Sequence, residues 1–135
     1  KIELNDMKKI QAARLTLLPV LASLAFMVGC SETVNIQLEP KVNAYLVTNS
    51  QQAISIDEAD AAHKELNTWL SEHQTGWHNT SGRFPGGIYI KSGKDGIQVT
   101  GMEVVIYSTS GAAPDARYVR NVGKKELPLV RAIGQ

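Results

Sequence analysis

An apolar stretch without a single charge, Leu15 to Val28 (LTLLPVLASLAFMV), runs into Gly29 and Cys30, and this junction divides the chain into two parts with different physics. Lys8, Lys9 and Arg14 stand ahead of it, so the order is positive region, apolar region, small residue. That is the three-part layout of a secretory signal. The apolar run is shorter than the roughly 20 residues a spanning helix needs, and Pro19 interrupts it, so cleavage is expected rather than a permanent transmembrane anchor. Only the part that follows is then available to fold.

Met27, Val28, Gly29 and Cys30 occupy four consecutive places that resemble the lipobox of the bacterial prolipoprotein class. The resemblance covers the export segment alone. It implies that a diacylglyceryl group is attached to the Cys30 sulfur, that residues 1–29 (a signal peptide with a leading extension, Lys1 to Asp6) are removed, and that the new amino group takes a further acyl chain such as palmitate. Several chains meet the requirement of stable anchoring, since each buried methylene contributes about 0.8 kcal/mol. Ser31 stands where inner-membrane lipoproteins of enteric-type bacteria carry Asp. The resemblance therefore implies the periplasmic face of the outer membrane, with the inner membrane as the other possibility.

Cys30 is the only cysteine, which excludes an intramolecular disulfide and a thiolate metal cluster. Taking away the 29 residues ahead of it leaves 106 of 135, enough for one hydrophobic core in one domain. Four of the 14 Lys and Arg and two of the 13 Asp and Glu lie in the removed part. The remaining balance of 10 basic and 11 acidic groups gives no bulk attraction for nucleic acid.

Residues 30–33 read as a lipidated tether and 34–135 as a single small domain. Val34, Ile36 and Leu38 alternate with polar residues as in a half-buried strand that Pro40 ends, and Val42 to Thr48 (VNAYLVT) is a second extended segment. The spacing predicts a helix over Asp57 to His73: Ser55 and Glu58 have capping-box spacing, acidic residues crowd the first turn, and Gly76 stands ready as a left-handed cap. At about 100° per residue, Ala59, Ala62, Leu66, Trp69 and Leu70 share one stripe opposite Lys64, Thr68, Ser71 and Glu72. Gln74 to Gly87 reads as a long loop. Ile88–Lys91 and Ile97–Tyr107 form a hairpin turning at Asp95 and Gly96, with a bulge at Gly101 where the apolar parity switches. A loop at Ser108–Ala116 and extended pieces at Arg117–Val122 and Leu127–Ile133 follow, the last held to a sheet edge by Pro128. The element order implies an α+β domain: one amphipathic helix packed on a mostly antiparallel β-sheet.

No catalytic centre emerges. His63 and His73 are ten residues apart on the expected helix, about 15 Å at roughly 1.5 Å per residue, so they cannot share an ion. His73 and His78 lack the further ligands a zinc site needs. There is no Gly-x-Ser-x-Gly elbow, and Ser92–Asp95 lacks the spacing of a phosphate-binding loop. No cofactor beyond the covalent lipid, no metal and no catalytic residue is expected. Two features point instead to binding. Trp77, His78, Arg83 and Phe84 gather in one loop, and their types dominate interface hot spots; Trp77 and Phe84 folding inward to close the core is the competing arrangement. Arg117, Arg120, Lys124, Lys125 and Arg131 collect near the C-terminus, as a solvated face or as a surface for anionic headgroups or an acidic partner.

The expectation from sequence is a lipoprotein acting by protein–protein interaction in the cell envelope, as an accessory subunit of an assembly or secretion apparatus. An inhibitor or immunity protein against an envelope-degrading enzyme is the alternative.

Overall fold

The computed structural model describes residues 31–108 and 114–135, and Ser31–Gln135 form one compact unit. The expected signal peptide and Cys30 lie outside the described residues, as does most of the expected Ser108–Ala116 loop.

Among the described residues, extended segments rich in β-branched and aromatic residues make one seven-stranded sheet, mostly β with two short helices added. The strands are β1 (Lys41–Leu46), β2 (Asn49–Asp57), β3 (His78–Asn79), β4 (Ile88–Ser92), β5 (Asp95–Val99), β6 (Glu103–Ser108) and β7 (Asp115–Asn121). Their spatial order is β2-β1-β4-β5-β6-β7-β3, and every pair is antiparallel. Helix α1 (Ala61–Glu72) connects β2 at one edge to β3 at the other, and α2 (Pro128–Arg131) closes the chain.

Side-chain alternation gives the sheet two unlike faces. On one, Val42, Ala44, Ile90, Ile97 and Val104 meet Leu66, Trp69 and Leu70 of α1 in the main core. The second face has a smaller cluster built on Val105, Tyr107 and Ala116, with Phe84, Tyr89 and Val119 against it. Because β3 lies at the far edge and β4 in the sheet's interior, residues 80–87 must return across this second face. The connection thus becomes a strap: Thr80 N donates to Arg117 O (2.9 Å) and Ala116 N to Gly82 O (3.0 Å).

Several expectations are corrected. Val34, Ile36 and Leu38 alternate in burial as expected, yet they pair with no strand ladder. This segment instead ties itself to the helix and the residues just after it, with Leu38 N donating to Asn67 Oδ1 (3.0 Å) and Val34 N to Gln74 O (2.7 Å). Helix α1 begins at Ala61, because Ser55 pairs with Asn43 and β2 runs on to Asp57, so the capping box does not form. A turn closed by Asp57 N donating to Asp60 Oδ2 (3.0 Å) takes its place. The helix ends at His73, and Gly76 (φ +80°) serves a later turn, where an added Cβ would strike the Arg120 guanidinium.

The parity switch at Gly101 marks a hairpin turn, not a bulge: Val99 pairs with Val104, and Thr100 Oγ1 accepts from Glu103 N (3.0 Å). The preceding hairpin turns at Gly93 and Lys94, two residues before the expected place, since Ser92 pairs with Asp95. Leu127–Ile133 is not an edge strand. Pro128 sits at the start of α2, where its missing N–H costs nothing, and Glu65 Oε1 accepts from Leu129 N (3.0 Å) and Val130 N (3.1 Å).

Candidate functional site: a tyrosine-lined cleft under the strap

The face that α1 leaves uncovered carries a cleft of about 610 Å³ between the strap and the β1–β2 turn. Strand periodicity places three tyrosines there. Tyr45, Tyr89 and Tyr107 stand on the opposite side from Ala44, Ile90 and Ile106 of the main core. Tyr45 and Tyr89 have ring centroids 6.5 Å apart at 47°, and Tyr89 meets Tyr107 edge-on at 5.6 Å and 70°. Phe84 adds a fourth ring from the strap, while Arg83 and Lys91 stand exposed at the rim.

A buried polar network fixes this geometry. Gln98 is 2% exposed, and its Nε2 donates to Phe84 O (2.8 Å) and Gly86 O (2.6 Å). Tyr107 Oη donates to Gln98 Oε1 (2.5 Å) and accepts from Phe84 N (3.0 Å). The strap is therefore pinned to the sheet by its own backbone groups. Gly96 makes room for the neighbouring ring, since a Cβ there would lie 2.6 Å from Tyr89 Cζ. The Tyr89 hydroxyl is buried with no hydrogen-bond partner among the described residues. Burial pushes the Tyr89 phenol up from its ordinary value, with Tyr107 and Tyr45 adding to the rise. Tyr107 is raised by burial as well, against the lowering effects of its Phe84 hydrogen bond and of Arg83.

Of the four loop residues singled out in the sequence, the structure brings only Arg83 and Phe84 into this cleft. Trp77 is fully buried in the main core, edge-on to Trp69 at 6.1 Å, with its Nε1 donating to His73 O (2.6 Å), so it presents nothing to a partner. An indole this large, standing one turn beyond the helix, fills the gap between helix end and sheet. His78 is exposed on the short edge strand β3 and does not line the cleft. Sequence reasoning missed Tyr45, Tyr89, Lys91, Gln98 and Tyr107. The available signal was a strand such as Ile88–Ser92 with large residues on both faces, together with Gly96, a glycine inside a strand that marks close approach of another group.

Two of the five C-terminal basic residues, Arg120 and Arg131, are tied into the fold, while Arg117, Lys124 and Lys125 stay exposed. Arg131 donates from Nε to Glu126 O (2.8 Å) and from Nη1 to Thr100 O (2.8 Å), and Arg120 donates to Thr75 O. His73 stacks on Trp69 (centroids 4.4 Å apart), with its Nε2 3.9 Å from Glu126 Oε1. Buried His63 has Nε2 2.7 Å from Glu39 O. Among the described residues no three His, Cys, Asp or Glu converge as a metal site. The chain matches no protein-family model, and no curated protein or solved structure shows significant similarity to it.

Proposed function

We propose that this chain is a lipid-anchored lipoprotein of the periplasmic face of the outer membrane that acts by binding another envelope protein, as an accessory subunit of an assembly or secretion apparatus. Met27 to Cys30 support the address. The binding role rests on one observation, the preformed cleft of aromatic rings on the sheet face that α1 leaves uncovered. Concave sites with aromatic walls and a few charged groups at the rim are where partners bury anchor side chains. The pinning of the strap by Gln98 and Tyr107 removes much of the ordering cost that a loose loop would bring to association. The same rigidity supports a second reading, an inhibitor or immunity protein, since protein inhibitors of enzymes present surfaces that move little on binding.

The experiment is photo-crosslinking of the whole lipidated protein in its own cells. A photoreactive residue at Val47, exposed on the cleft's rim, is expected to capture one envelope protein of the same cell. The same residue at Lys64, exposed on α1, should capture none. Capture from Lys64 alone, or from neither position, would remove the cleft from the function.

A further inference from the structure

The cleft's chemistry narrows what enters it, on the reading that this face binds a partner. We infer that the occupant is a polypeptide segment with an aromatic or large apolar anchor side chain flanked by carboxylates, the anchor seated among the tyrosines and the carboxylates paired with Arg83 and Lys91.

Three observations carry this. First, among the described residues the lining contains two cations and no carboxylate, and neither Arg83 nor Lys91 forms an ion pair. An acidic occupant finds both rim cations unspent, whereas a basic one meets repulsion from both. Second, apart from the Tyr89 hydroxyl, the buried polar groups of the floor are already used. The Gln98 amide makes two donations and accepts from Tyr107, whose hydroxyl also accepts from Phe84 N. A sugar needs many directed hydrogen bonds, and this floor has few left to give. Third, the rings are inclined at 47° and 70° to one another, so they form no shared flat platform on which a pyranose could lie. Inclined rings make a trough, which suits an inserted side chain.

The test uses the lipidated full chain in detergent and four probes: a labelled peptide with one tryptophan between glutamates, its twin with lysines for glutamates, a soluble cell-wall glycan fragment, and oleate. Fluorescence polarisation is read for the two peptides, with the glycan and oleate as competitors. The acidic peptide is expected to bind about tenfold more tightly than its basic twin, as two rim charge pairs would give, and to weaken as salt rises. Neither competitor should displace it. Arg83→Glu with Lys91→Glu lies on exposed side chains and should invert the preference between the peptides while thermal unfolding stays unchanged. Equal binding of both peptides, no saturable binding of either, displacement by the glycan or oleate, or a preference that survives the double charge reversal would overturn the inference. Crosslinks from Val47 alongside such a result would leave the partner reading intact and defeat only the acidic occupant. Peptide preference without crosslinks would do the reverse.

Discussion

The Tyr107 hydroxyl donates to Gln98 Oε1 across 2.5 Å in the most enclosed part of the second face, where Tyr107 is 3% and Gln98 2% exposed. The amide's other end holds Phe84 O and Gly86 O, so one side chain joins β5, β6 and the strap. Gln98→Leu keeps the approximate volume but strips the partners from a hydroxyl and two carbonyls. Since each buried group left unsatisfied costs about 1–3 kcal/mol, and the strap can lift to rehydrate its carbonyls, the expected loss is about 2–3 kcal/mol in urea unfolding. The hydrogen exchange of Phe84 N should quicken at the same time. Unchanged exchange would show that Gln98 does not hold the strap.

That network also marks the limit of what could be read from residue order. The antiparallel hairpin of β4 and β5, the strand near Arg117–Val122 and the apolar stripe of α1 were legible, because periodicity and turn chemistry are local signals. Strand β2 was not. Its sequence, NSQQAISID, is polar with little alternation, and it becomes a strand only because β1 offers an edge to pair with. Pro128 suggests a strand held to a sheet edge, yet it opens a helix whose first free N–H groups are satisfied by Glu65 from 64 residues away. The cleft was half legible. Arg83 and Phe84 were noticed for their composition, but Tyr45, Tyr89 and Tyr107 come together through strand register, which no single segment encodes. Trp77 and Phe84 looked alike in the loop, and only tertiary structure separates a buried indole from a cleft wall.

The two raised phenols make the second face sensitive to alkali. In the unfolded chain a tyrosine ionises near the ordinary value of 10.0, whereas Tyr89 and Tyr107 in the fold hold their protons to higher pH. Above that ordinary value the unfolded state therefore binds fewer protons than the folded one, and stability falls as pH rises. Full stability from these groups is expected below about pH 10, with progressive loss through the folded values. Phenolate absorbance should show part of the tyrosine signal lagging behind that of the urea-unfolded chain, and Tyr89→Phe with Tyr107→Phe should abolish the lag. A wild-type titration coincident with that of the unfolded chain would contradict the burial of these rings.

Trp77 and Phe84 should now behave differently from each other. Trp77→Ala empties a fully buried site in the main core and removes the donor to His73 O, so a loss of about 3–5 kcal/mol is expected in denaturant unfolding. Phe84 is half-buried against Val105, Tyr107 and Ala116, and its truncation should cost about 1–2 kcal/mol. Crosslinking from Val47, by contrast, should drop in Phe84→Ala under conditions where the variant remains folded. If Trp77→Ala were as stable as wild type, the indole would not be a core residue.

The address carries its own prediction, independent of the cleft. If Cys30 is the lipid attachment point, the protein extracted from its native membrane should begin at Cys30, with a mass exceeding that of residues 30–135 by the diacylglyceryl and amide-linked acyl groups. Cys30→Ala removes the only thiol in the sequence, and since cleavage in the lipoprotein class follows acylation of that sulfur, the variant should accumulate unlipidated and largely uncleaved. It would then be held at the membrane only by the Leu15–Val28 stretch, a weaker hold than several acyl chains whose methylenes each contribute about 0.8 kcal/mol. Intact mass spectrometry with fractionation of both proteins decides the matter. Normal maturation of Cys30→Ala, or a wild-type species that is soluble and unmodified, would overturn the anchor. The periplasmic partner would then lose its rationale, while the cleft and its charge preference would still stand to be tested with peptides.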